Sequence, residues 1–596
     1  MEYDNGLQQW FTTRAYDHSL PRAEKKRRKR RDGRLFPTQD GLYYYMNKRN
    51  EMATQFNWDS KKFNIFDSQF ISYAAISKFI NQFNSKLSQK DISQDDFKLL
   101  FQERIIIDEL LSKINFLAEL SCIKFSENNN LLKYHNELNN SIKLFNYWWK
   151  NLSDKQILLY INVAPENNYY LIKLRKIMSY ELSEDIEDVF SVKSSNSVNL
   201  DDIANNLFDM YKYISKSTLN DELKNAILQK IITSFGPIYK SLLKNWHNEF
   251  IVFRKYNSFR EKLDVIYGLS QDSVDSMFNI IQDKTILIFN KYVKKLALGF
   301  KDSTLIYKYL SNTKYIYFLD DISLQYSLNT IKKVYHNFLP VLIEPIIEII
   351  GQKRIKINNF SNNQYCFICN REIPTIISLN FDNKWHNLFA LAHELMHAIH
   401  FFFSKNQSAF QWKPVTPLTE GIAYFGELLI IDNFINISTN TFFNNKLLIF
   451  ILNQSYKKLV EDAFFHLFQA EVAQLPKYMV NSDNITKIYQ KNLAELWGDN
   501  VELEPNHAVK WIGTREMFEA PLINYSYIFG GLLGFCLFQI YKEEGPQFAD
   551  KFLRIISLGD SDSPENILRK AGLGPLNDKF WVKGFSAINY FIDQLK

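Results

Sequence analysis

His393, Glu394 and His397 form the pattern His-Glu-x-x-His within residues 391–400. On a helix, positions i and i+4 share one face a single turn apart, so the two imidazoles point the same way. Imidazoles so placed can bind one zinc ion, and the Glu394 carboxylate sits beside them where it can take a proton from a metal-bound water. The flanking Leu388, Phe389, Leu391, Ala392, Leu395, Met396 and Ile399 are apolar. That frame predicts a buried helix, inside which three polar side chains need partners. The bland alternative is a chance occurrence, with both histidines bonded to core carbonyls, since short motifs recur by accident.

A catalytic zinc needs a third protein ligand and an open fourth position. Glu420 lies at the start of a second helix-like run, residues 419–431. Two antiparallel helices joined by a loop over 404–417 would carry Glu420 onto the His393/His397 face. The competing role for Glu420 is a first-turn carboxylate stabilised by the helix dipole. Glu427 shares that helix face but lies two turns away, roughly 10 Å along the axis. One ion cannot reach both carboxylates, so Glu427 is expected to be a buried hydrogen-bond partner and not a ligand.

The elements that must position these groups are mostly helical. Residues 61–193 contain amphipathic runs such as 96–116 and 131–152, broken by the polar stretch 126–130. Residues 191–197, rich in serine, are the best linker candidate. Helical periodicity resumes over 200–351, including 330–350, and dominates again from 383 to 596. Between them, 365–368 and 375–381 are β-branched or aromatic runs separated by the turn-like 370–374. A strand just before the histidine helix, with one free edge, could pair with an extended peptide backbone. The reading is therefore a mainly α protein with a small β element. It divides into an irregular basic tail over 1–40, an N-terminal helical domain over 41–190 and a catalytic domain over 191–596.

With 46% hydrophobic residues and only 15 prolines and 19 glycines in 596, the chain reads as globular and not disordered. The net charge of +6 is local, because the run Lys25 to Arg31 alone carries seven positive charges. A nucleic-acid enzyme spreads a basic stripe over its fold, so no nucleic-acid partner is expected. The run is expected to be a solvated extension, with a polyanion-binding or targeting tail as the alternative. Cys122, Cys366, Cys369 and Cys536 are too few for a disulfide framework in a chain this long. Cys366 and Cys369 form a lone CxxC without a second ligand pair, and are expected to be reduced. The first twenty residues hold no continuous apolar run, so a cytoplasmic location is expected. The uncharged stretch 520–541 is long enough to span a bilayer, but its Asn524, Ser526, Gln539 and three glycines predict a buried core helix.

Residues 374–397 resemble the strand, turn and zinc helix of the oligoendopeptidase F branch of the thimet oligopeptidase family. Residues 419–429 are similar to that family's third-ligand helix, with Glu420 at the ligand position. Residues 525–530 match a tyrosine-rich stretch ending in glycine, and 559–572 with Phe580 and Trp581 match the closing pattern. The resemblance implies a helical clamshell (a gluzincin) around a deep channel, with a small sheet beside the active-site helix. It implies zinc held by His393, His397 and Glu420, Glu394 as general base, and Tyr525 or Tyr527 as donor to the developing oxyanion. The implied activity is endoproteolysis of short peptides; a peptide-binding or dedicated processing protein of the same fold is the alternative. Three departures stand out. Met396 replaces a glycine, the glycine-rich loop is reduced to residues 358–366, and Met517 occupies the place of a transition-state histidine, with His507 the only histidine nearby.

Overall fold

The computed structural model of the protein describes residues 73–89, 92–120, 129–183, 217–299, 321–357, 375–476, 478–497 and 520–596 apart from 523, with short runs between them. The basic run 25–31, the candidate linker 191–197, Cys122, Cys369, His507 and Met517 lie outside the described residues.

Five helices build a first core: α1 (Tyr73–Leu87), α2 (Gln94–Leu120), α3 (Asn129–Asn151), α4 (Asp154–Val163) and α5 (Asn168–Met178). Phe97, Phe101, Phe145, Trp149 and Tyr160 fill its centre. Start signals are local: Ser153 and Gln156 form a reciprocal capping box that satisfies two otherwise orphaned amides at the head of α4.

A second, larger core begins with α6 (Asp221–Trp246), α7 (Phe259–Tyr267), α8 (Gln271–Gly299), α9 (Leu324–Phe338) and α10 (Ile343–Gly351). Residues 330–350, read above as one helical run, are split between α9 and α10. Pro340 is the cause: it lacks an amide donor and pushes the residue before it out of the helical region. Leu339 is accordingly extended, at φ −155 and ψ 106.

Three short strands follow, β1 (Ile355–Ile357), β2 (Tyr365–Phe367) and β3 (Ile376–Leu379), in the order β1-β3-β2. β1 runs parallel to β3 and β2 antiparallel to it. The strand directly before the histidine helix is therefore central, with partners on both sides, where an edge strand was expected; among the described residues β1 and β2 are the outer strands. The sequence reading overlooked β1 because three residues, Ile-Lys-Ile, are too short to display a period.

Among the described residues nine more helices belong to this core: α11 (Trp385–Ser404), α12 (Thr416–Ile437), α13 (Thr441–Tyr456), α14 (Ala463–Ala473), α15 (Ser482–Trp497), α16 (Tyr525–Glu544), α17 (Phe548–Ser557), α18 (Pro564–Lys570) and α19 (Asp578–Gln594). α12 starts a turn earlier than expected, with Pro417 in its first turn, where no intrahelical amide is needed. The uncharged stretch became α16, buried from Ile528 to Phe538. Among the described residues no helix is long and apolar enough to cross a membrane. α12 lies between α11 and α16. At Gly530 a methyl group would collide with the Cβ of Glu420, so the missing side chain is what lets α16 approach that carboxylate. The two cores meet through a Lys173 Nζ to Asp560 ion pair of 2.8 Å and a Tyr170–Phe410 ring stack of 4.2 Å.

Candidate metal centre

The histidine helix α11 is held at a defined angle to β3 by Asn387, a buried residue in its first turn. Its Oδ1 accepts from the amides of Asp382 and Lys384, and its Nδ2 donates to the Asn380 carbonyl. Asn383 takes the left-handed conformation this turn requires, at φ 64, which asparagine tolerates better than most residues. Leu388, Leu391, Ala392, Leu395 and Ile399 are fully buried around the helix, so its polar face is aimed at one neighbour, α12.

That packing brings His393, His397 and Glu420 together. One ligand atom from each lies within 4.8 Å of the others. His393 Nε2 and His397 Nε2 are 3.0 Å apart. The Glu420 carboxylate straddles them, with Oε2 3.6 Å from His393 Nε2 and Oε1 3.6 Å from His397 Nε2. Nitrogens about 2.0–2.1 Å from a tetrahedral ion are separated by about 3.3 Å, so these spacings fit a single ion. Burial pulls the His393 imidazole down to about 3 and the His397 imidazole well below its ordinary value. Both are therefore neutral, as ligation requires. Two imidazoles and a carboxylate are a donor set suited to zinc.

Glu427 takes the outer role foreseen for it. His393 Nδ1 lies 2.7 Å from Glu427 Oε1. Were Nε2 to hold an ion, Nδ1 would carry the proton and donate to that carboxylate, which would fix tautomer and ring angle. Burial pushes Glu427 up to about 7, opposed by the charge of Lys458. Met396, where the family resemblance has glycine, packs against Gly426 of α12. A methyl on Gly426 would lie 2.9 Å from Met396 Cε, so volume gained on one helix is matched by volume absent on the other.

Glu394 is buried, with 2% exposure. Its charge adds to burial in pushing the Cys366 thiol well above its ordinary value. β2, an outer strand of the sheet, therefore runs beside Glu394. Among the described residues neither Cys366 nor the buried Cys536 of α16 is in a disulfide.

The two tyrosines separate. Tyr525 is fully buried and its hydroxyl donates to Asp264 Oδ1 at 2.8 Å. Its ring stacks near Tyr267, Phe278 and His466. That hydroxyl serves a buried carboxylate of α7, itself pushed up to about 6 by burial. Tyr527 is one turn before Gly530, on the side of α16 that meets Glu420. Tyr525→Phe should therefore lower thermal stability, by about 1–3 kcal/mol for an acceptor left short of a donor. Tyr527→Phe should instead lower kcat by roughly 10²-fold with little change in KM, the pattern of a bond made only in the transition state. Melting curves and steady-state kinetics on the two variants check the split; equal kcat losses would undo it.

Two groups near this centre escaped the sequence reading, Lys458, whose charge acts on Glu427, and Tyr335, whose hydroxyl donates to the Ala392 carbonyl at 3.1 Å; away from it, so did Asp264, the partner of Tyr525. Asp264 and Tyr335 lie far from the motif in sequence, and Lys458 is one of an adjacent lysine pair that reads as surface.

No family model matches the chain. It is 19% identical over 205 residues to oligopeptidase PepF of Bacillus subtilis, a match covering 33% of this chain and 30% of that protein. The match thus spans less than a third of the relative's own length. Solved structures align over nearly the whole chain. A Chlamydophila abortus chain assigned as a peptidase superposes with TM-score 0.72 at 15% identity, covering 93% of this chain and 96% of that one. The oligoendopeptidase F of Enterococcus faecium gives TM-score 0.54 at 14% identity, covering 88% and 97%. The chain has the oligoendopeptidase F fold. Pz peptidase A shares it too, at TM-score 0.62 and 13% identity, over 87% of this chain and 96% of that one. The mainly helical architecture with its small sheet, and the resemblance drawn from residues 374–397 and 419–429, agree with these neighbours.

Proposed function

We propose that the protein is a zinc-dependent endopeptidase acting on short peptides. The convergence of His393, His397 and Glu420 on one point, with Glu394 in the same helix turn, carries this reading. His393, His397 and Glu420 would hold the ion, which would supply Lewis-acid polarisation of the scissile carbonyl and lower the pKa of water toward neutrality. The protein's own groups do the rest. Glu394 accepts the water proton and returns it to the leaving amine. Tyr527 donates its hydroxyl to the carbonyl oxygen as charge develops there. The outer edge of β2 offers main-chain donors and acceptors to an extended peptide, giving grip without strong side-chain selection. The restriction to short peptides in a closed channel, and the names of the fold's neighbours, come to this chain as part of the same proposal. A cytoplasmic location belongs to the same proposal.

Elemental analysis of the purified protein, combined with a quenched fluorescent peptide library with and without chelator, tests the reading. One zinc per chain and chelator-sensitive cleavage are expected. Stoichiometric metal without cleavage of any peptide would favour a peptide-binding role, and absence of stoichiometric metal would overturn the reading itself.

A further inference from the structure

The two helices that carry the clustered ligands are joined by residues 405–415, and Phe410 in that loop packs against the other core. Its ring stacks on Tyr170 of α5, with centres 4.2 Å apart and planes 6° from parallel. Phe101 of α2 lies 5.3 Å away at a tilt, and the Arg104 guanidinium of α2 stands 5.3 Å from the Phe410 ring centre. Arg104 is 2% exposed, and a cation–ring contact counts most where water is excluded. Arg371 adds a second strut, donating to the Gln407 carbonyl at 3.1 Å and pairing with Glu109 of α2 at 2.6 Å.

The remainder of the loop is tied to its own core. Gln407 Nε2 donates to the Ser557 carbonyl at 2.9 Å, and the Asp560 amide donates to the Gln411 carbonyl. A side chain at Gly559 would collide with that same carbonyl. Trp412 meets Phe401 of α11 edge-on at 6.1 Å. Glu420 lies one turn into α12, so the point at which the loop delivers that helix sets the place of the carboxylate. α12 is buried on every side from Pro417 to Asp432. A helix without a single apolar stripe does not have its rotation chosen by burial alone, and a tether at its first turn matters correspondingly more.

We propose that Phe410 is a positioning residue of the metal centre: seated against Tyr170, Phe101 and Arg104 of the first core, it fixes the loop that delivers Glu420 to His393 and His397. The proposal rests on the ligand reading above. The first core then forms part of the frame of the site, although it supplies none of the three clustered ligands.

The experiment compares Phe410→Ala with Tyr180→Leu in the full chain. Tyr180 joins the two cores elsewhere, through a 3.9 Å ring stack on Tyr256 and a hydroxyl bond to Glu261, so its loss loosens the junction without touching the loop. Phe410→Ala should weaken zinc binding about 10-fold in chelator competition, the lower end for loss of an outer support, and should lower kcat more than it raises KM. In metal-free protein it should also speed amide exchange over residues 404–420, a direct reading of local opening. Phe410→Tyr, which keeps the ring on Tyr170, should recover most of these losses. Tyr170→Leu should act in the same direction as Phe410→Ala, and the pair together should cost less than the sum of the two. Tyr180→Leu should leave zinc affinity and exchange over 404–420 unchanged. Unchanged exchange there in Phe410→Ala would overturn the proposal, and so would equal losses in Tyr180→Leu. Should the alanine variant fail to fold, Phe410→Leu and Tyr170→Leu carry the same test. If the unaltered protein binds no zinc, the metal reading fails, while exchange in the metal-free protein still decides this proposal.

Discussion

Glu394→Gln is expected to abolish measurable peptide cleavage while leaving zinc content and fold intact. The amide has nearly the shape of the carboxylate but cannot accept the proton that water must lose before its oxygen attacks. General-base catalysis by a positioned side chain contributes about 10²–10⁴-fold, and Glu394 is a buried carboxylate in the same helix turn as both histidines, with 2% exposure. Because the residue is not among the three clustered ligands, metal binding should survive. Turnover within a few-fold of the unaltered protein, at equal zinc content, would remove Glu394 from that role.

His397→Ala should act at the other level, on the ion itself. His397 Nε2 sits 3.0 Å from His393 Nε2 and 3.6 Å from Glu420 Oε1, so its loss leaves two ligands of three. Zinc affinity should fall by more than about 100-fold, beyond the roughly 10–100-fold typical when only an outer hydrogen-bond partner is lost. A second consequence follows from mass action: a ligand at about 1,000 times its Kd stabilises the folded state by about 4 kcal/mol. The melting temperature of the unaltered protein should rise with added zinc, and that of His397→Ala should not. Stoichiometric zinc retained by the alanine variant would show that the ion, if present, is held elsewhere. The ordering of His397→Ala against Glu427→Gln, large loss against moderate loss, also separates ligands from their supports.

Much of this centre is visible in the chain before folding, and the reason is local geometry. His393 and His397 face the same way because a helix repeats every 3.6 residues. The apolar residues between them oblige that helix to be buried, and a polar face inside a core demands a partner. Glu420 was a candidate because a loop over 404–417 could return α12 antiparallel against α11, and the family resemblance placed it at the ligand position. Glu427, seven residues on, inherited the same face and therefore the outer position behind His393. The break at Pro340 was equally available, and was passed over because hydrophobic periodicity on both sides of it masked the missing amide.

What only the tertiary structure decided are the pairings across long sequence separations. Tyr525 and Tyr527 are two residues apart and look interchangeable in sequence, yet a 200° rotation around α16 sends one to Asp264 and leaves the other beside the turn that meets Glu420. No local signal distinguishes them, because the distinction depends on α7 packing against the start of α16. β1 gained its strand character only by pairing with β3, which in turn took the free edge away from the strand next to the histidine helix. Lys458 sits in the core because a π-helical turn, Lys457–Asp462, rotates it inward between Tyr424 and Gly531. Spacing along the chain thus determined which residues could bind an ion together, since helix geometry is a property of consecutive residues. Which residues support them was decided by close packing of helices hundreds of residues apart, where one absent side chain, as at Gly530, sets how near two elements can come.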